Sequence, residues 1–121
     1  GNTNKNTGGT ITFSLTTSVA AKVGIYVYLS VANNTGKAND IFEINVNSSK
    51  IETENFDMPA EGTKWTSTEK YIFAGYANLG VGDNTVQYKI VQSADSNNGA
   101  NFYGFRFSAQ SATIAGKTTA A

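Results

Sequence analysis

The single tryptophan of this chain, Trp65, stands in a polar stretch at residues 61–68, EGTKWTST, directly after Lys64. An indole in such a loop offers a flat apolar face on which the C–H groups of a sugar ring can pack, while the sugar hydroxyls go to neighbouring amides and charges. The competing outcome is that Trp65 folds back over the core edge and meets no ligand. A second polar cluster is the run DSNNGAN at residues 95–101. Its Asn97, Asn98 and Asn101 carry amides that both donate to and accept from vicinal hydroxyls. Asn101 reads equally well as an ordinary turn or strand-entry residue.

Catalytic chemistry is poorly served. The chain has no His, so neither a Ser-His-Asp site nor the usual zinc ligand set can be assembled, and no Cys, which excludes thiolate chemistry and disulfides. Glu52, Glu54, Asp57, Glu61 and Glu69 cluster between strands. Hydrolysis of a glycosidic bond would need two such acids flanking a cleft, but any two loop acids can be paired in that way. The run at 95–99 starts like a calcium loop, yet Arg106 occupies the twelfth position, where a bidentate Glu is required. No Gly-rich turn leads into a helix that could cradle phosphate. Asn33-Asn34-Thr35 and Asn47-Ser48-Ser49 match the glycosylation sequon and are read as turn chemistry. The expectation is a protein without catalytic residues, metal or cofactor.

The elements that hold these loops follow from the hydrophobic pattern. At 121 residues the chain has the size of one domain with one core. Period-two alternation dominates. Ile11, Phe13 and Leu15 alternate with Thr10, Thr12 and Ser14, and Phe42, Ile44 and Val46 with Glu43 and Asn45. Residues 22–32, KVGIYVYLSVA, are β-branched and aromatic, with one face toward the core and Tyr26 and Tyr28 on the other. Residues 47–50 form a hairpin turn from which Ile51 returns. Residues 71–79 make another strand, a turn at Gly82-Asp83-Asn84 precedes Val86, Tyr88 and Ile90, and Tyr103, Phe105 and Phe107 close the series. All six tyrosines fall inside these strands, most as sheet-face packing. About seven short strands without a helical period predict an all-β, antiparallel two-sheet β-sandwich over residues 9–108. Residues 1–8 read as a linker and 109–121 as a C-terminal tail or linker, both being polar or small throughout apart from Ile114.

Nine Lys plus Arg balance nine Asp plus Glu, and no basic run could neutralise phosphates or an anionic membrane. Nucleic acid and membrane partners are therefore not expected. Only 15% of residues are charged, so solubility rests on hydroxyls and amides, a balance that suits an extracellular or cell-surface domain.

Three short motifs add a resemblance. Gly82-Asp83-Asn84-Thr85-Val86 resembles the "G-x-N-T-hydrophobic" turn before a late strand in carbohydrate-binding modules of the galactose-binding-like jelly-roll type, families 6 and 35 and their relatives. Gly99-Ala100-Asn101-Phe102-Tyr103 is similar to their "G-x-N-hydrophobic-Asp" signature, and residues 42–47 to their "F-x-hydrophobic-x-hydrophobic-Asn-Gly" hairpin. The likeness implies a monomeric, non-catalytic module of a larger secreted or cell-surface protein that binds a polysaccharide or glycan weakly in a loop cleft. Within it Trp65 would stack on sugar and Asn101 would contact hydroxyls. The family's structural calcium is not implied in the same way. Its ligating Glu has no counterpart before Gly9, and Tyr103 stands where the family has Asp. The alternative is a spacer or adhesin-type domain that keeps the sandwich without a sugar site. A jelly-roll virion or fibre protein is the third class.

Overall fold

Wherever apolar and polar side chains alternate, the backbone extends, and the apolar faces of the resulting strands meet in one layer. The computed structural model describes residues 2–4, 9–31, 37–58, 71–91, 100–109 and 118–120. The elements are β1 (Asn2–Asn4), β2 (Thr10–Thr17), β3 (Ala21–Val31), α1 (Ala38–Ile41), β4 (Phe42–Val46), β5 (Ser49–Lys50), β6 (Ile72–Leu79), β7 (Gly82–Ile90), β8 (Ala100–Ala109) and β9 (Thr118–Ala120). A four-stranded sheet has the order β1-β8-β3-β6 and a five-stranded sheet the order β5-β4-β7-β2-β9. Every pairing is antiparallel. From β2 onward consecutive strands alternate between the sheets, except for the β4–β5 hairpin within the five-stranded one, and this is the antiparallel two-sheet sandwich expected from the pattern.

The core lies between the sheets. Val23, Ile25, Val27 and Leu29 of β3, Phe42, Ile44 and Val46 of β4, and Val86, Tyr88 and Ile90 of β7 are all buried. Its centre is aromatic. The ring of Tyr88 stacks on Phe102 at 4.3 Å and on Phe42 at 5.2 Å, and Phe105 meets Phe13 edge-on at 5.4 Å, so rings from both sheets interlock. Tyr88 is thus an inner-face residue, unlike the other tyrosines.

Several boundaries differ from expectation, each for a local reason. The turn before β7 is tighter than Gly82-Asp83-Asn84, because Gly82, at φ +95°, already pairs with Thr17 and begins the strand. The Asn84 side chain makes this possible. It is buried, its Nδ2 donates to the carbonyls of Gly80, Gly82 and Leu15, and its Oδ1 accepts from the Gly80 N–H and from Asn47 Nδ2. The β4–β5 hairpin turns on two residues, Asn47 and Ser48, both left-handed at φ 51° and 70°. That is the geometry two-residue hairpins demand, and Asn supplies it cheaply. The return strand is only Ser49–Lys50, after which residues 51–58 run to the edge of β6, where the Glu54 N–H donates to the Ala74 carbonyl. Gly75 lies under this crossing, and a Cβ there would stand 2.6 Å from the Glu52 carbonyl oxygen. The backbone of Asn2–Asn4 pairs with β8 and that of Thr118–Ala120 with β2, so parts of both terminal segments extend the sheets.

Candidate functional site

Two β-bulges in the four-stranded sheet decide what its outer face carries. On β6, Gly75 pairs with Ile25 and Phe73 with Tyr26, so Ala74 is an extra residue. On β8, Gly104 pairs with Tyr28 and Phe102 with Leu29, leaving Tyr103 extra. A bulge shifts the strand's period by one residue and re-aims its side chains. Phe73 and Tyr76, three residues apart, would face opposite ways on a regular strand. With the bulge they meet on one face, ring centroids 5.0 Å apart. The same shift lets Tyr103 and Arg106 share the outer face while Phe102 and Phe105 both point inward, 4.9 Å apart.

The outcome is a continuous strip. Tyr103 packs on Tyr28 at 4.6 Å and Tyr28 on Tyr71 at 5.6 Å. The Arg106 guanidinium then bridges the rings of Tyr71 and Tyr26, at 5.2 and 4.9 Å. Tyr26 meets Phe73 edge-on at 5.4 Å, Phe73 meets Tyr76, and the Lys22 ammonium sits 4.6 Å over the Tyr76 ring. From Lys22 to Tyr28 the strip follows β3 for about 20 Å. Tyr76 is 47% exposed, and Tyr26, Tyr28, Tyr71, Phe73 and Tyr103 are half-buried. Six aromatic side chains on the outside of a sheet whose inner face is already filled are not required for the core. Aromatic rings held edge and face outward in this way form a platform for flat apolar ligand surfaces.

The opposite outer face differs in chemistry. On the five-stranded sheet Asn45 Nδ2 donates to Gln87 Oε1 at 3.1 Å and Gln87 Nε2 to Thr12 Oγ1 at 3.3 Å, an amide and hydroxyl ladder that satisfies itself. Charges there balance, Glu43 and Asp83 against Lys50 and Lys89, whereas the only charged residues on strands β1, β3, β6 and β8 are Lys22 and Arg106.

Of the residues singled out from sequence, Lys64, Trp65, Asn97 and Asn98 lie outside the described residues. Asn101 is placed by its backbone in β8, paired with Ser30 and with Asn2. Tyr103, where the resemblance would put a carboxylate, stacks on Tyr28. Among the described residues no three Asp or Glu side chains converge on a common point. The tyrosines of the strip were placed in strands by their pattern, but period-two reading could not gather them. The signal that could have done so is the isolated Gly75 and Gly104 inside strand patterns, a mark of bulges.

No known family profile and no curated protein matches the chain. Two solved structures do. A family 35 carbohydrate-binding module from an environmental isolate superposes with a TM-score of 0.62 at 20% identity, over 97% of this chain and 73% of that one. The fold is that of the family 35 carbohydrate-binding modules. A CBM35 from Cellvibrio japonicus Abf62 agrees, with a TM-score of 0.61 at 16% identity over 98% of this chain and 75% of that one. At these identities the likeness establishes the jelly-roll sandwich of those modules. Ligand and site have to be argued from the residues of this chain.

Proposed function

We propose that the chain is a non-catalytic carbohydrate-binding module of a larger secreted or cell-surface protein, acting as a monomer. The observation that carries this reading is the aromatic strip on the outer face of β8-β3-β6, in a fold shared with solved carbohydrate-binding modules. Sugar rings present C–H faces that pack on tyrosine and phenylalanine, and their hydroxyls reach phenolic and guanidinium groups beside them. An open face covers one side of a glycan and buries less of it than a closed pocket, so binding is weak. Weak binding suffices for a tethered module, because linkage turns the next encounter of its partner domain into an intramolecular one. The sequence candidates Lys64, Trp65, Asn97, Asn98 and Asn101 are the second set proposed for this function.

Calorimetric titration with plant, host and bacterial polysaccharides tests the proposal on wild type, Trp65→Ala and the pair Tyr28→Ala with Tyr76→Ala. Loss of binding in the double variant assigns the sheet face, and loss in Trp65→Ala assigns the loop cleft. Absence of binding to every polysaccharide at millimolar concentration rejects the sugar-binding reading in favour of the spacer domain. Release of reducing ends on prolonged incubation would reject the non-catalytic part.

A further inference from the structure

The aromatic strip also brings two phenols within coupling distance. Tyr28 of β3 and Tyr103, the extra residue of the β8 bulge, lie with ring centroids 4.6 Å apart and ring planes tilted by 34°. That separation is little more than the distance between the centres of two phenyl rings joined by a single bond. Tyr71, the next phenol along the strip, stands farther from Tyr28, at 5.6 Å and 58°. Tyr28 and Tyr103 are both half-buried, so the sheet holds their rings while solvent still meets them. Oxidants find few better targets among the described residues. The chain has no Cys, and its one Met, Met58, is 1% exposed, so the sulfur side chains that oxidants attack first are missing or shielded.

We infer that Tyr28 and Tyr103 form a modification site, at which a one-electron oxidant joins the two rings as an intramolecular dityrosine. Each phenol gives up one electron and its hydroxyl proton. The two phenoxyl radicals couple through the ring carbons ortho to oxygen, and the hydrogens on those carbons move to the oxygens, restoring two phenols. One C–C bond forms, two electrons go to the oxidant and two protons to solvent. Proximity favours this coupling over a link between molecules, because the second ring is already in place. The new bond ties β3 to β8 and closes the chain between residues 28 and 103 into a loop. Such a loop removes entropy from the unfolded state, as a disulfide does in chains that have cysteine. None of this requires that the face bind a glycan.

Oxidation of the full chain by photoexcited ruthenium tris(bipyridine) with persulfate tests it, persulfate taking up the two electrons as it becomes two sulfates. Tandem mass spectrometry of the digested monomer should find the peptides carrying Tyr28 and Tyr103 joined with the loss of two hydrogens, in a yield that does not rise with protein concentration. Tyr28→Phe and Tyr103→Phe should abolish that product, and Tyr71→Phe should keep it. Each variant retains its ring, and circular dichroism confirms that it is folded. Unfolding in guanidinium before oxidation should cut the yield at least about tenfold, since the two rings then meet only by chance. The cross-linked protein should melt at a higher temperature than the untreated one. Consumption of tyrosine without a link between Tyr28 and Tyr103, a link from Tyr28 to Tyr71 in its place, or links only between molecules overturns the inference. An equal yield from the unfolded chain does the same, and a lowered melting temperature overturns the stapling effect.

Discussion

Asn84→Asp should unfold the protein easily at neutral pH and much less so in acid. The exchange keeps the size of the side chain and the accepting Oδ1, which takes hydrogen bonds from the Gly80 N–H at 3.0 Å and Asn47 Nδ2 at 2.9 Å. It replaces Nδ2, which donates to three carbonyls at 2.9 to 3.3 Å, with an oxygen. Asn84 is 2% exposed, so an ionised carboxylate there would face three carbonyl oxygens with little water to screen it. Leaving a buried charge uncompensated costs ~3–5 kcal/mol. For a domain of this length that is a fall in melting temperature of roughly 10–20 °C. Burial and the facing carbonyls would raise the carboxyl's pKa in the folded state above the unfolded value of about 3.9. Below that value both states are protonated, and the O–H can restore one donated bond. As pH rises through it, the unfolded state ionises first, unfolding releases a proton, and stability falls until the folded-state pKa is passed. Melting followed by circular dichroism at pH 3 and pH 7, against wild type at each pH, reads the effect. A deficit equal at the two pH values, or none at pH 7, would refute the hub role given to Asn84.

Gly75→Ala brings a methyl group to 2.6 Å from a backbone carbonyl that cannot swing aside, and overpacking of this kind costs ~1–3 kcal/mol. The variant should melt several degrees lower by differential scanning calorimetry, and an unchanged melting temperature would mean that residues 51–58 do not cross β6 as described. Asp57→Asn breaks an ion pair whose two side chains are 52% and 80% exposed, so its melting temperature should stay within about 2 °C of wild type in the same scan.

Much of the sandwich was legible because its strands obey one rule. On β7 every even residue from Asn84 to Ile90 is buried, and on β4 Phe42, Ile44 and Val46 are, so period two alone finds them. The pattern also placed Tyr26 and Tyr28 outside. It failed where the backbone leaves the pleat. The bulges at Ala74 and Tyr103 put residues three apart on the same face, and a two-residue period assigns them to opposite faces. The strip that joins Tyr71, Phe73, Tyr76 and Tyr103 to Arg106 was therefore invisible, although each tyrosine lay in a recognised strand. Gly82 reads as turn because Gly, Asp and Asn in succession are turn residues, while here the Asn84 amide satisfies the carbonyls of Gly80 and Gly82 and lets pairing begin at once. The terminal strands carry Asn, Thr and Ala, with no apolar alternation, and are held by backbone pairing to β8 and β2, which composition does not reveal.

The central claim is that the outer face of β8-β3-β6 is a glycan platform. Titrating the folded Tyr28→Ala, Tyr76→Ala double variant beside wild type, with whichever polysaccharide wild type binds, tests it most directly. Binding should fall about fivefold or more in the double variant while Trp65→Ala retains it, since loss of stacking costs ~1–3 kcal/mol in all. Undiminished binding by the double variant would contradict the claim.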